Sequence, residues 1–202
     1  MQNQGENEQM NATFTMPANV LLGMSHLGST NEMMRNITGV LIEKRDGDIR
    51  LVATDGHMMG IYNVMQDGIE WFDGASGRES VVVDVGNFIS LLKEAKKSRI
   101  STMKITLNGT VKIEHFGKTV ESPYLDVTFP DWEIYIPKET NIPIPNIGIQ
   151  FSLLDKMKKA IADLSGSKEI YLCLSFSGTT SAMKVTSGAD PNFTGILMPA
   201  RV

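Results

Sequence analysis

Three histidines, one cysteine and two clusters of lysines stand out among the side chains of this sequence that could do chemistry. His26, His57 and His115 have no Cys, Asp or Glu companions at the spacings that metal sites use. Gly-rich phosphate loops and nucleophile elbows are absent. His57 follows Asp55 by two residues, which raises acid–base chemistry, but no nucleophile stands beside the pair. A turn histidine so placed reads as a structural residue or a ligand contact. Cys173 sits in the apolar alternation Tyr171-Leu172-Cys173-Leu174 and is expected to be buried in the core. These residues point away from an enzyme, and no catalytic, metal or cofactor site is expected.

The lysines carry a different chemistry. Lys93, Lys96 and Lys97, with Arg99 close behind, lie on the side of a helical stretch away from the stripe Phe88, Leu91, Leu92 and Ala95. Lys156, Lys158 and Lys159 lie opposite Met157 and Ile161 in another. A solvated amphipathic helix gives the same pattern, and lysine near a helix C-terminus suits the dipole. The formal charge is −4, so a uniformly basic surface is excluded. Cations gathered on two exposed helix faces nevertheless fit contact with phosphates, which is salt-sensitive and independent of base sequence.

The elements that must position these residues form a pattern that recurs three times. Thr13 to Met16 alternates as a strand, and Pro17 occupies a position favoured for a first helical residue. Val20, Leu21, Met24 and Leu27 then keep helical spacing up to Gly28. Ile37 to Ile42, Ile49 to Ala53 and Met59 to Val64 read as strands joined by turns at Asp46-Gly47 and Asp55-Gly56. A Gly-rich, acidic connection from Asp67 to Gly77 leads to the second round. There Ser80 to Val83 is a strand, Val85 to Ile100 a helix, and Met103 to Leu107, Val111 to His115 and Thr119 to Leu125 are strands with turns at Asn108-Gly109 and Phe116-Gly117.

Phe129 to Pro145 holds four prolines and reads as a stiff, extended connection. The third round has a strand from Gly148 to Phe151 and a helix with Ser152 as N-cap that stops at Gly166. Ile170 to Phe176, Ser181 to Thr186 and Gly195 to Met198 are its three strands. One supersecondary unit repeated three times explains the chain better than unrelated segments. The length, 202 residues, can bury a sizeable core. Residues 1–12 read as a disordered tail without signal-peptide character, and no run approaches a membrane span. A single cysteine permits no disulfide framework and fits a cytoplasmic protein.

Three segments carry a resemblance to a known family. Leu51-Val52-Ala53-Thr54-Asp55-Gly56-His57, Phe129-Pro130-Asp131-Trp132-Glu133-Ile134-Tyr135-Ile136-Pro137 and the closing Leu197-Met198-Pro199-Ala200-Arg201-Val202 resemble, in the family's order, segments of bacterial DNA polymerase III β sliding clamps. The resemblance implies an α+β DNA-clamp fold of three strand-helix-three-strand repeats, about one and a half clamp domains. Residues 13–137 are similar to the clamps' middle domain, and 138–202 to the C-terminal half of their last domain. A full clamp subunit has three domains of two units each, and a ring has twelve units, so four chains of this kind would supply as many.

The resemblance further implies a sliding-clamp-like processivity factor that assembles around duplex DNA as a homo-oligomer, dimer or tetramer. The DNA-facing residues would be Lys93, Lys96, Lys97, Arg99, Lys156, Lys158 and Lys159, with Arg35 near the almost uncharged first helix. Peptides from a DNA polymerase or other clamp-binding partners would enter an apolar pocket beside the Asp55-Gly56-His57 turn. Its wall would be Ile37, Thr54, Gly56, His57, Met58, Met59, Pro130, Ile134, Tyr135, Ile196, Leu197, Met198 and Pro199. Met58 and Ile134 stand where the family usually has Arg, and Ala200 where it has Met, which implies a greasier pocket. The alternative is a clamp-derived adaptor that binds such peptides without encircling DNA.

Overall fold

A computed structural model describes residues 12–45, 48–64, 70–71, 79–98, 101–137 and 147–200. The expected tail, the Asp46-Gly47 turn, nearly all of the Asp67 to Gly77 connection and Arg99 lie outside the described residues. In the first unit, β1 (Ala12–Pro17) leads into α1 (Ala18–Ser25), then β2 (Val40–Arg45), β3 (Asp48–Thr54) and β4 (Met58–Val64). Pro17 is the extended residue just before α1, with ψ 139°, rather than its first helical residue. A short pair of residues, β5 (Glu70–Trp71), precedes the second unit.

That unit holds β6 (Glu79–Val83), α2 (Ile89–Lys97), β7 (Thr102–Leu107), β8 (Thr110–His115) and β9 (Lys118–Pro123). The expected helix from Val85 starts as a 3-10 turn, Val85–Phe88, because the Asp84 side chain accepts from the Gly86 N–H and tightens the entry. The apolar stripe of Phe88, Leu91, Leu92 and Ala95 is buried as its spacing requires. Gly109 (φ 70°) and the pair Phe116 (φ 46°) and Gly117 (φ 77°) turn the hairpins through the left-handed region, the geometry that matches strand twist.

The third unit consists of α3 (Phe151–Ser165), β10 (Leu172–Ser175), β11 (Met183–Ser187) and β12 (Phe193–Leu197). Two expectations fail at its start. Gly148 to Phe151 is not a sheet strand but makes a single bridge, Gly148 to Ala200. Ser152 is the second residue of the helix, not its cap; its hydroxyl accepts from the Gln150 side chain at 2.9 Å. Gly166 ends α3 at φ 68°, as a left-handed cap favours.

Two antiparallel sheets result, ordered β5-β1-β7-β8-β9 and β10-β11-β12-β4-β3-β2-β6. The first two units exchange leading strands: β1 pairs with β7 of the second unit, and β6 pairs with β2 of the first. The third unit joins the larger sheet through β12 against β4, with Gly195 opposite Gly60. Helix α1 packs between α2 and α3, and Ala18, Val20, Leu21, Leu22, Gly23 and Met24 are all buried. This placement explains why the first helix has no charge to display.

The main core lies between helices and sheets, and a second cluster of Leu41, Val52, Met59, Ile61, Val82, Trp132 and Ile196 covers the other face of the larger sheet. Cys173 is exposed, against expectation. Leu172 and Leu174 pack toward the core, so strand alternation turns the cysteine between them to the outside.

Candidate functional site

The hairpin turn between β3 and β4 is the centre of the candidate site. Gly56 has φ 88°, a conformation a side chain would strain. Around it the polar groups of the turn are used up locally. The Asp55 carboxylate Oδ1 accepts from the His57 and Met58 backbone N–H groups, each at 3.0 Å. The Thr54 hydroxyl donates to the Met58 carbonyl at 2.7 Å and accepts from the Gly56 N–H at 3.1 Å. Lys156 of α3 donates to Asp55 Oδ2 at 2.8 Å, and the Met198 N–H donates to the His57 carbonyl at 3.0 Å. The first unit's turn is thereby tied to both the helix and the last strand of the third.

Beside this turn lies a predominantly apolar cleft of about 380 Å³. Every residue of the expected wall lines it except Ile134, Leu197 and Pro199. Leu197 is fully buried in the main core and Ile134 is 70% exposed. Four lining residues were not foreseen: Met34 and Asn36 from the 3-10 segment Glu32–Ile37, and Phe129 and Trp132 from the connecting segment. The last two stand inside the segment that carries the resemblance, and their bulk is the signal that marks them. Trp132 is nearly buried, and its indole N–H donates to Glu43 at 3.4 Å, which pins the connecting segment across the sheet. Two larger hollows, around Tyr124 to Trp132 and around Ser25 to Arg35, are shallower and more polar.

Methionine, isoleucine and aromatic side chains give this cleft an adaptable surface for apolar groups. His57 and Tyr135 add polar handles at the rim, where Tyr135 is 54% exposed. The cleft has room for apolar groups, and among the described residues that line it no nucleophile has a base beside it. Among the described residues no three His, Cys, Asp or Glu side chains gather closely enough to hold a metal ion. No helix among them is long and apolar enough to cross a membrane.

Burial would raise the Asp55 carboxyl, but the Lys156 ammonium and the His57 and Met58 N–H groups outweigh it and hold its pKa below the ordinary aspartate value. A carboxylate with a depressed folded pKa stabilises the fold above its unfolded pKa, and that contribution fades as pH falls through the folded value. Asp55→Asn is therefore expected to cost about 2 kcal/mol at pH 7, with the gap to wild type closing below about pH 4. Thermal melts of both proteins across pH 2.5–7 check it, and a gap that stays constant with pH would refute the ionic contribution.

No protein-family model matches the sequence, and no curated protein matches it. Among solved structures, a DNA polymerase sliding clamp from Pseudomonas aeruginosa with ligand aligns with a TM-score of 0.73 at 16% identity, over 98% of this chain and 68% of that one. The β clamp of Helicobacter pylori bound to a DNA ligase peptide aligns with a TM-score of 0.74 at 11% identity, over 96% and 67% of the two chains. The β subunit of DNA polymerase III from Thermotoga maritima gives 0.68 at 16%, over 98% and 67%. The chain has the sliding-clamp fold. It spans about two thirds of each clamp chain it matches.

Within this clamp fold the lysines of α2 and α3 are not equivalent. Lys96 pairs with Asp163, which also holds His26 at 2.6 Å, so the three helices are fastened together at this point. Burial would raise the Asp163 carboxyl, but hydrogen bonds from Lys96 and His26 bring its pKa below the ordinary aspartate value. Lys156 is committed to Asp55, and Lys159 pairs with Asp155 one turn earlier at 2.7 Å. Lys93, Lys97 and Lys158 are exposed and make no ion pair among the described residues. Arg35 stands apart on the Glu32–Ile37 segment, at the rim of a hollow it shares with Asp84 and Ile89.

Proposed function

We propose that the chain is a sliding-clamp-like processivity factor that assembles around duplex DNA and takes partner peptides into the apolar cleft. The cleft carries this reading: it is built from the β3–β4 turn, the Phe129 to Tyr135 segment and the end of β12, which meet only because the third unit docks on the first. A clamp of the same fold from Helicobacter pylori binds a DNA ligase peptide, and one from Pseudomonas aeruginosa binds griselimycin. On this reading Lys93, Lys97 and Lys158 make the phosphate contacts, while Lys96, Lys156 and Lys159 lend only what their carboxylate partners leave. Four chains would furnish the twelve units of a ring. No catalytic step is assigned.

Retention on DNA tests the reading. The protein is expected to stay on a closed circular duplex after a high-salt wash and to be lost when the circle is linearised. Equal loss from both would overturn encirclement. For the cleft, Tyr135→Ala is expected to weaken binding of an apolar clamp-binding peptide about tenfold or more, since a tyrosine that a bound peptide covers is a typical anchor. Isothermal titration reads this, and an unchanged affinity would place the peptide elsewhere.

The pairing of Lys96, Lys156 and Lys159 with carboxylates favours a second reading, a clamp-derived adaptor that never encircles DNA. It predicts full peptide binding with no retention on circles.

A further inference from the structure

The first two units show how this chain completes a sheet: each gives its leading strand to the other. Thus β1 lies beside β7, and β6 lies beside β2. The third unit has no such partner among the described residues. Its leading residues, Ile147 to Gln150, make one backbone hydrogen bond to the segment after β12 there, where the Gly148 carbonyl accepts from the Ala200 N–H at 2.8 Å. The same contact exists in the second unit, where the Val82 carbonyl accepts from the Leu125 N–H at 2.8 Å. In both, the accepting residue stands three positions before its helical segment. In the second unit, the residues flanking Val82, Val81 and Val83, pair with Ile42 and Val40 of β2. Their counterparts, Ile147 and Ile149, have no backbone partner among the described residues.

The edge that corresponds to β2 is β10, which among the described residues has β11 on one side and no strand on the other. The chain's own leading segment cannot reach it. It is bridged beyond the end of β12, and β11 and β12 would both have to be crossed, about 5 Å for each strand. The third unit's core is also the incomplete one. Ile147, Ile149, Leu154, Ile170, Leu172 and Leu174 are only partly buried against it. Neither Ile147 to Gln150 nor Tyr171 to Ser175 contains a charge or a proline, the residues that normally guard a free edge. The outer edge strand of the smaller sheet, β9, does carry them, in Lys118, Glu121 and Pro123.

We infer that the third unit is completed by the same unit of a second copy, each copy laying residues 147–150 along the free edge of the other's β10. The exchange repeats between chains what the first two units do within one, about a two-fold axis. Ile147 and Ile149 then enter the partner's core beside Leu172 and Leu174, and the outward side chains, Gln150 and Cys173, share the solvent face. This rests on the fold, and it deepens the ring reading by naming the contact that joins two chains.

A cross-link tests it. In Gln150→Cys, treated with a short bis-maleimide, the new thiol and the native Cys173 are expected to join most of the protein into a covalent dimer. Wild type, and a control with Glu94→Cys on α2, should remain largely single chains, because β2 and β7, the strands equivalent to the two copies of β10, lie in different sheets. Independently, Ile149→Lys should shift the mass by light scattering from a dimer or its multiple toward the single chain, with the protein still folded by circular dichroism. Monomeric wild type, or a dimer indifferent to both changes, would overturn the exchange. Failure to be retained on DNA circles, with the cross-link intact, would count against the ring reading alone.

Discussion

Replacing Gly60 with valine is expected to lower the melting temperature by about 6–12 °C, the equivalent of about 3 kcal/mol in a chain of this size. Gly60 and Gly195 face each other across the β4–β12 pairing, and neither position has room for a side chain. A Cβ on Gly60 would meet Leu27 and come within 2.9 Å of the Phe193 ring, while one on Gly195 would come within 2.7 Å of the Met157 sulfur. Leu27 and Met157 are fully buried and Phe193 nearly so, so none of the three can swing away without opening the core between α1, α3 and the sheet. Gly117 makes the contrast: nothing lies within 4 Å of its Cβ position, and Gly117→Asn, which tolerates φ 77°, should cost well under 1 kcal/mol. Calorimetry on the two variants separates the cases. A Gly60→Val protein as stable as wild type would mean that the third unit does not dock on the first by this joint. Because the cleft is shared between those units, the same variant should also lose peptide affinity.

The parts of the fold that were legible are those governed by local rules. The strands β7 and β8 alternate buried residues with more open ones, and the turns that follow them use Gly109 and Gly117 where φ must be positive. The stripe of α2 and the Gly166 stop of α3 were readable for the same reason. What local pattern does not encode is partnership. Nothing in Thr13 to Met16 says that this strand pairs with β7 rather than β2, since exchange depends on how two whole units interlock. Gly148 to Phe151 looked like a strand because Ile147, Ile149 and Phe151 alternate with Gly148 and Gln150; within one chain they find no ladder to join.

Cys173 shows a related limit. Its neighbours are apolar on both sides, so the segment suits a strand buried on two faces, and only the sheet's position at the periphery decides that one face meets solvent. At the site, the order of segments located the turn, the connecting segment and the final strand, but not the 3-10 turn that contributes Met34 and Asn36. Lys156 is the instructive miss. Its place among the lysines of α3 suggested phosphate contact, whereas a carboxylate distant in sequence, Asp55, claims it. Ion pairs between segments are invisible to charge counting along a helix.

That distinction sharpens what the free lysines should do. Combined reversal of Lys93, Lys97 and Lys158 to glutamate is expected to abolish loading onto circles and binding to a short linear duplex at low salt, and to leave peptide affinity within about twofold. Each lost phosphate contact should reduce the slope of log affinity against log salt by about 0.9. Because these side chains are exposed and unpaired among the described residues, their loss should move the melting temperature little. Lys156→Glu should behave differently: it places a carboxylate against Asp55 and loosens the turn, so stability and peptide binding fall together whatever happens to DNA. The pair of variants therefore separates a DNA face from a structural ion pair on neighbouring turns of helix. If the triple reversal leaves linear-duplex affinity and its salt dependence unchanged, the helix layer is not what meets the duplex. If wild type itself shows no retention while peptides still bind, the cleft is the functional surface and the remaining lysines serve solubility alone.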